Sequence, residues 1–352
     1  MGQTWVVKLT CLVFLLVCVT SCGGPVSPGS SGDLVQTMPW TERPGNLAEW
    51  GCAGGAIYAV LWNPETKEER IVVWTWQQTS MKEAWTSIIP RAIGVVPAGD
   101  GVCGLSPVSD DAAYSIFSPA DSSVSEVWKP GQGGCTFGPG GSANGKFIAV
   151  VIQDPVYIRG IDLARVGIID VAAKKLKSVT EINGHGIHTV YQSAVSNDGR
   201  YVAVAGWDNG VAMIDGEQSK VLWSSRPPDE ISTAFAIFAP DGKTLFTAGS
   251  EGCVYSIDAA TGQVLTTRYA STSGKKADAN RVSSLAISDD GQWLAAGTGP
   301  QGVAYIWSLS GANPIRILVH GDSPVSIVAF SPDARHIATV GGGDMKIWSI
   351  KK

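Results

Sequence analysis

The chain has 352 residues, of which 16% are charged and 44% apolar, with 42 glycines and 13 tryptophans. That balance favours strands and turns over helices and leaves ample apolar surface for a large core. The net charge of −5, with no basic cluster and no alternation of Lys or Arg with aromatic residues, argues against nucleic-acid binding.

The first 22 residues read MGQTWVVKLTCLVFLLVCVTSC. Lys8 precedes an apolar run from Leu9 to Val19 that is short for a membrane span and fits a secretory segment. Its end, Val19-Thr20-Ser21-Cys22, resembles a bacterial lipobox. The resemblance implies a signal peptide over residues 1–21, cleavage before Cys22 and lipidation of its thiol. Gly2 is not a myristoylation signal, because Val6 stands where Ser or Thr is needed. Residues 22–33 are expected to form the lipidated Cys and a tether rich in Gly, Pro and Ser, with the fold over 34–352. Gly23 after the cysteine, with no Asp, resembles outer-membrane sorting. The expected location is therefore the outer membrane, facing the periplasm, or the outer face of the cell membrane where there is only one.

Just after the tether, DLVQTMPW is a suitable strand. Farther on, the first half of the fold is irregular. AIYAVLWNPETKEERIVVWTW reads as a strand–turn–strand pair inside a unit at about 45–95. GVCGLSPVSDDAAYSIFSPADSSVSEVW reads as a short unit at about 98–132. KFIAVVI with RVGIIDVAAKKLKSVTEI gives another at about 133–182, with an insertion around Asp154 to Asp162.

The second half repeats. NDGRYVAVAG, PDGKTLFTAG, DDGQWLAAG and PDARHIATVG align on Asp198, Asp241, Asp290 and Asp333, spaced 43 to 49 residues apart. A second marker follows each: VAMID, VYSID, AYIWS and KIWSI, with an earlier VGIID ending at Asp170. A period near 45 with several short strands per unit predicts an all-β fold, a β-propeller of four-stranded blades. The copies run at roughly 185–226, 230–272, 280–320 and 322–352. With the first-half units the count is seven, six or eight staying open. The last copy stops after its third strand, so Leu34 to Trp40 is expected to pair beside MKIWSI and close the ring.

The stretch PVSIVAFSPDARHIATV with MKIWSI resembles the WD40 repeat, over about residues 130–352. In that family a His, a Ser or Thr, an Asp and a Trp hydrogen-bond within a blade. The resemblance assigns this tetrad to His320, Thr339, Asp344 and Trp348. The copies ending at Asp215 and Asp258 depart from it, with Ile214 and Ile257 where the Trp would be, and the copy ending at Trp307 lacks the His. The family is specific for fold and says little of function.

Little in the chain suggests chemistry. GGSANGKF, residues 140–147, has the spacing of a phosphate-binding loop. Phe147 replaces its Ser or Thr, and a strand follows where a helix is needed, so it reads as a blade turn. His185 and His188, with four histidines in all and no Cys or acidic neighbour, make a poor metal site. Cys52, Cys103 and Cys135 fall at or near the inner strands of successive predicted blades, so one disulfide among them competes with buried free thiols. Cys253 reads as a strand residue. Asp170, Asp215 and Asp258 recur at equivalent positions and read as turn acceptors. There is no G-x-S-x-G or H-E-x-x-H motif, and no cofactor or metal is expected.

The leading functional reading is a non-enzymatic, membrane-anchored propeller that binds a protein or peptide in the bacterial envelope. Loops entering the inner strands and turns between second and third strands would share its binding face. They include His185, His188, Trp207, Asp208, Glu251, Arg281 and Asp322, with Trp207 either an anchor or a packing residue between blades. One alternative is a propeller enzyme of hydrolase, lactonase or quinone-dependent dehydrogenase type using the central channel. Another is an accessory lipoprotein of outer-membrane assembly.

Overall fold

The computed structural model describes residues 33–39, 47–53, 56–63, 65–89, 95–98, 102–105, 113–118, 120–129, 135–153, 164–182, 190–206, 210–228, 233–276, 280–299, 301–312 and 314–350. Their regular structure is β, in seven four-stranded antiparallel sheets. Strand β1 (Asp33–Pro39) comes first and belongs to the last sheet. Blade I is β2 (Leu47–Ala53), β3 (Ala56–Asn63), β4 (Glu68–Gln77) and β5 (Ser80–Ile89). Blade II is β6 (Val95–Ala98), β7 (Val102–Leu105), β8 (Tyr114–Ser118) and β9 (Ser123–Trp128). Blade III follows with β10 (Cys135–Gly141), β11 (Phe147–Gln153), β12 (Ala164–Asp170) and β13 (Lys175–Glu181).

In the second half, blade IV contains β14 (Val190–Val195), β15 (Tyr201–Gly206), β16 (Gly210–Asp215) and β17 (Lys220–Ser225). Blade V has β18 (Thr233–Phe238), β19 (Thr244–Gly249), β20 (Cys253–Asp258) and β21 (Val264–Tyr269). Blade VI has β22 (Val282–Ile287), β23 (Trp293–Thr298), β24 (Val303–Ser308) and β25 (Arg316–Val319). Blade VII has only β26 (Ile327–Phe330), β27 (His336–Gly341) and β28 (Asp344–Ser349) from this end of the chain.

Strand β1 supplies the missing outer strand. It pairs antiparallel with β28 from Asp33↔Ser349 to Pro39↔Asp344, as the truncated last repeat predicts. The first strands of the blades touch in the order β2, β6, β10, β14, β18, β22, β26 and back to β2. The ring is therefore closed and seven-bladed.

The middle strands are buried on both faces, which is why they read as apolar runs without alternation. All six residues of β16 are buried. Between neighbouring sheets lie separate core clusters, such as Val151, Ile168, Val204 and Ile214 between blades III and IV. Polar stitches add to them: Ser284 Oγ accepts from the Val328 amide at 2.9 Å, and Gln192 Oε1 accepts from the Ala236 amide at 3.2 Å. Arg268 of β21 donates to the carbonyls of Leu309 at 2.6 Å and Gly311 at 2.8 Å, tying blade V to the last turn of blade VI.

The repeated aspartates are explained by one turn. At the β14–β15 connection, Ser196 Oγ donates to Asp198 Oδ1 at 2.5 Å and accepts from the Tyr201 amide at 2.9 Å. Asp198 Oδ1 also accepts from the Arg200 amide at 3.0 Å. Ser288 with Asp290, and Ser331 with Asp333, repeat the pattern at 2.6 Å each. In blade V Ala239 replaces the serine, and only the Asp241 acceptor remains. The phosphate-loop look-alike is a further copy: Ser142 Oγ donates to Asn144 at 2.7 Å and accepts from the Phe147 amide at 3.0 Å. Asp170, Asp215 and Asp258 accept amide hydrogen bonds in the turns between third and fourth strands.

Outer strands are open edges, and six of the seven carry a register shift against their partner; β25 does not. Such bulges discourage edge-to-edge pairing.

Candidate functional site

Antiparallel connectivity puts the loops that enter each first strand on the same face as the turns between second and third strands. On blades V to VII this face is described in detail. In blade VI, the Gly299 amide donates to the Arg281 carbonyl at 3.0 Å, and the Gly302 carbonyl accepts from the His320 amide at 2.8 Å. The β23–β24 turn is thus bonded to the loops on both sides of it. In blade V the Gly252 carbonyl accepts from the Ala270 amide at 2.9 Å. Two glycines make these approaches possible. Gly302 has φ +59 and a Cβ there would lie 1.9 Å from the Gly321 carbonyl oxygen; Gly252 has φ +73 and would meet the Asn280 backbone at 2.6 Å.

Beneath this face in blade VII lies a buried hydrogen-bond chain. Trp348 Nε1–H donates to Thr339 Oγ1 at 2.8 Å, and Thr339 Oγ1 lies 2.7 Å from His320 Nδ1. His320 Nε2 lies 2.9 Å from the Gly341 carbonyl. A carbonyl only accepts, so Nε2 carries the proton, Nδ1 accepts, and the Thr339 hydroxyl donates to it. Burial holds the imidazole below its ordinary pKa, against the opposing effect of the Gly341 bond; nearby Lys346 lowers it further and Asp344 raises it. The ring is therefore neutral, and a neutral ring with its proton on Nε2 accepts at Nδ1. Asp344 has no hydrogen bond to His320 among those of this chain of bonds, in which Nε2 meets the Gly341 carbonyl, and its charge raises the imidazole pKa.

The chain of bonds has a positional result. His320 opens the loop that carries Asp322, and Lys346 Nζ bonds its carbonyl. That loop is held against Gly341, where a Cβ would lie 2.3 Å from the Pro324 carbonyl oxygen. Asp322 and Arg281 are both exposed, on adjacent loops, and Glu251 is half-buried in the turn of blade V. His185, His188, Trp207 and Asp208 lie outside the described residues, as does Cys22. Cys52 is in β2, Cys103 in β7 and Cys135 in β10, so Cys103 sits on a second strand and not an inner one. The side chains of these three lie outside the described ones, and the expected bridge with them. Cys253 is buried in β20, with its Sγ 3.9 Å from the Glu251 carbonyl oxygen. Among the described residues no group of three or more His, Cys, Asp or Glu could hold a metal ion, and no helix is long and apolar enough to cross a membrane.

Six of the seven first strands, which surround the axis, contain no Asp, Glu, Lys, Arg or His; β2, with Glu49, is the exception. Sequence reasoning missed the inter-blade donor Arg268, the inter-blade acceptor Gln192 and, though it read residues 140–147 as a blade turn, the fact that this turn copies the serine turn. Only the last had a signal, the Ser-x-Asn-Gly spacing itself.

A ring of seven four-stranded blades is a β-propeller, and the Trp–Thr–His chain in the last blade resembles that of WD-repeat proteins. The family described as WD domain, G-beta repeat matches residues 176–215, 268–308 and 312–349, and the chain carries WD40 repeats at these three positions. Each match begins in or just before the outer strand of one blade and ends with the third strand of the next. An uncharacterized WD repeat-containing protein of Synechocystis, sll1491, is 30% identical over 145 residues, covering 41% of this chain and 39% of that protein. The WD repeat-containing protein SL1-17 of Schistosoma mansoni is 26% identical over 178 residues, 50% of this chain and 56% of that one. A chain in the crystal structure of a mitotic checkpoint complex matches at a TM-score of 0.62 with 18% identity, over 95% of this chain and 99% of that chain. This last likeness shows the fold alone. WD-repeat propellers are typically non-enzymatic scaffolds, and the three WD40 repeats support a protein-interaction role.

Proposed function

We propose that this protein is a non-enzymatic, lipid-anchored propeller that holds a protein or peptide partner at the bacterial envelope, through the face bearing Arg281, Asp322 and Glu251. The observation that carries the reading is the bonded loop face of blades V to VII. Charges of both signs stand there on loops fixed to one another through Gly252, Gly299 and Gly302. Rigid, polar presentation suits a protein contact with a polar rim better than a deep small-molecule pocket. The scarcity of charge on the first strands adds support, since acid–base or metal chemistry on the axis needs ionisable side chains there. The lipobox-like Val19-Thr20-Ser21-Cys22 supports the anchor, and Gly23 supports the outer membrane as its location.

The test is capture from cross-linked membranes by the wild type and by a variant carrying Glu251→Lys, Arg281→Glu and Asp322→Lys. A partner captured by the wild type and lost by the variant, at unchanged melting temperature, supports the reading. Equal capture by both rules out this face. Fractionation of Cys22→Ser tests the anchor: membrane association and processing like wild type would refute it.

A further inference from the structure

We propose that the propeller lies on the bilayer by one arc of its rim, centred on blade VII; this rests on the lipid-anchor reading above. Seven large apolar side chains stand between 42% and 57% exposed among the described residues. All are on or next to outermost strands. Leu34 and Val35 are on β1 of blade VII, Ile315 and Val319 are at β25 of blade VI, and Ile88 is on β5 of blade I. Val124 in blade II and Leu265 in blade V complete the set. The arc V–VI–VII–I–II therefore carries all seven, with five on its three central blades. The outer strands of blades III and IV, across the ring, contribute none; they present exposed Lys175, Lys177 and Lys220.

The occupant is identified by the strand at the centre. β1 is where the segment from Cys22 enters the fold. Eleven residues from Cys22 to Asp33 reach at most roughly 40 Å, so a lipid on Cys22 keeps β1 within that distance of the bilayer and favours contact by blade VII. The register shift between Leu34 and Gln36 makes Val35 an extra residue in β1, and Leu34 and Val35 are exposed side by side. A strictly alternating outer strand would turn one of the pair inward. Lipid fits this arrangement: it requires apolar side chains spread along a curved rim, not a shaped pocket. Lying on its rim, the propeller would keep its loop face open sideways to a partner.

The experiment uses the mature lipidated chain in vesicles of phosphatidylethanolamine and phosphatidylglycerol containing a photoactivatable lipid, with adducts mapped by mass spectrometry. Adducts are expected at residues 34–35, 88 and 315–319, several-fold above those at 175–181 and 220–225. Even labelling round the rim, or labelling centred on the loop face, would overturn the proposal. So would a soluble Cys22→Ser dimer whose interface takes the same arc. The same spectra show whether Cys22 is lipidated. If it is not, the anchor reading fails by itself, and the chain from Gly23 with an N-terminal hexahistidine tag on nickel-chelating vesicles tests the rim separately. There the same adduct pattern is expected. Leu34→Ser with Val35→Ser should weaken vesicle association about tenfold or more at unchanged melting temperature; an unchanged association would contradict the claim.

Discussion

Replacing Thr339 by Val tests the buried chain that positions the loop face. The two side chains are nearly the same shape, so the change removes a hydroxyl with little loss of packing. Thr339 is fully buried, and His320 and Trp348 are 3% and 5% exposed. Without the hydroxyl, Trp348 Nε1–H loses its acceptor at 2.8 Å and His320 Nδ1 loses its donor at 2.7 Å. Each orphaned group costs about 1–3 kcal/mol, so the expected loss for the two is about 2–6 kcal/mol. Against a typical domain stability of about 5–15 kcal/mol this is large. Urea melts followed by tryptophan fluorescence measure it. Thr339→Ser keeps the hydroxyl and gives up only a methyl, so it should retain most of the stability. The reasoning fails if Val costs under about 1 kcal/mol, less than one orphaned group, or if Ser costs as much as Val. In the first case water has replaced the hydroxyl; in the second the methyl packing matters and the chain of bonds does not.

The remaining predictions follow the same physics. His320 is held neutral in the fold, with its folded pKa below the ordinary value of about 6.5. Its contribution is therefore complete above that value. As pH falls below it, the unfolded chain binds a proton the folded chain refuses, and stability declines toward the folded pKa; His320→Asn should remove this part of the slope in melts taken below about pH 6.5. A chain starting at residue 45 lacks β1 and should melt earlier and aggregate more than one starting at Gly24, because it leaves the β28 edge open; equal melting in calorimetry would count against closure. Gly302→Val should destabilise strongly, since its side chain must displace the Gly321 carbonyl oxygen at 1.9 Å from Cβ; a wild-type melting temperature would show the loops less tightly bonded than described. Trp207→Ala should lose partner capture with melting unchanged if Trp207 is an anchor, whereas a lower melting temperature with capture kept by the folded fraction assigns it to packing.

The second half of the ring was legible because its turns are chemically marked. Asp198, Asp241, Asp290 and Asp333 recur because each accepts amide bonds in the same tight turn. The closing strand could also be read, since the last repeat ends without its fourth strand and an edge as apolar as MKIWSI needs a partner. The blade III turn was legible as a turn but not as a copy: Asn144 does the work of the aspartate, and the surrounding glycines imitate a phosphate loop. Asp344 was placed in the tetrad by resemblance, which cannot show that His320 Nε2 bonds the Gly341 carbonyl. Contacts between blades, such as Arg268 with Leu309 and Gly311, join residues about 40 positions apart and leave no local pattern. The candidate site was legible only as a face: connectivity fixed which loops share it, while the bonding that makes it rigid lies in backbone groups that the sequence does not label.

The account rests most on which face meets the partner, and site-specific photocrosslinking in intact cells tests that directly. A photoreactive residue is placed in turn at Arg281 and Asp322 on the loop face, and at Asp241 and Asp333 in the turns on the opposite face. Adducts to one protein at 281 and 322, and none at 241 and 333, are the predicted result. Adducts at 241 and 333 with none at 281 and 322 would contradict it.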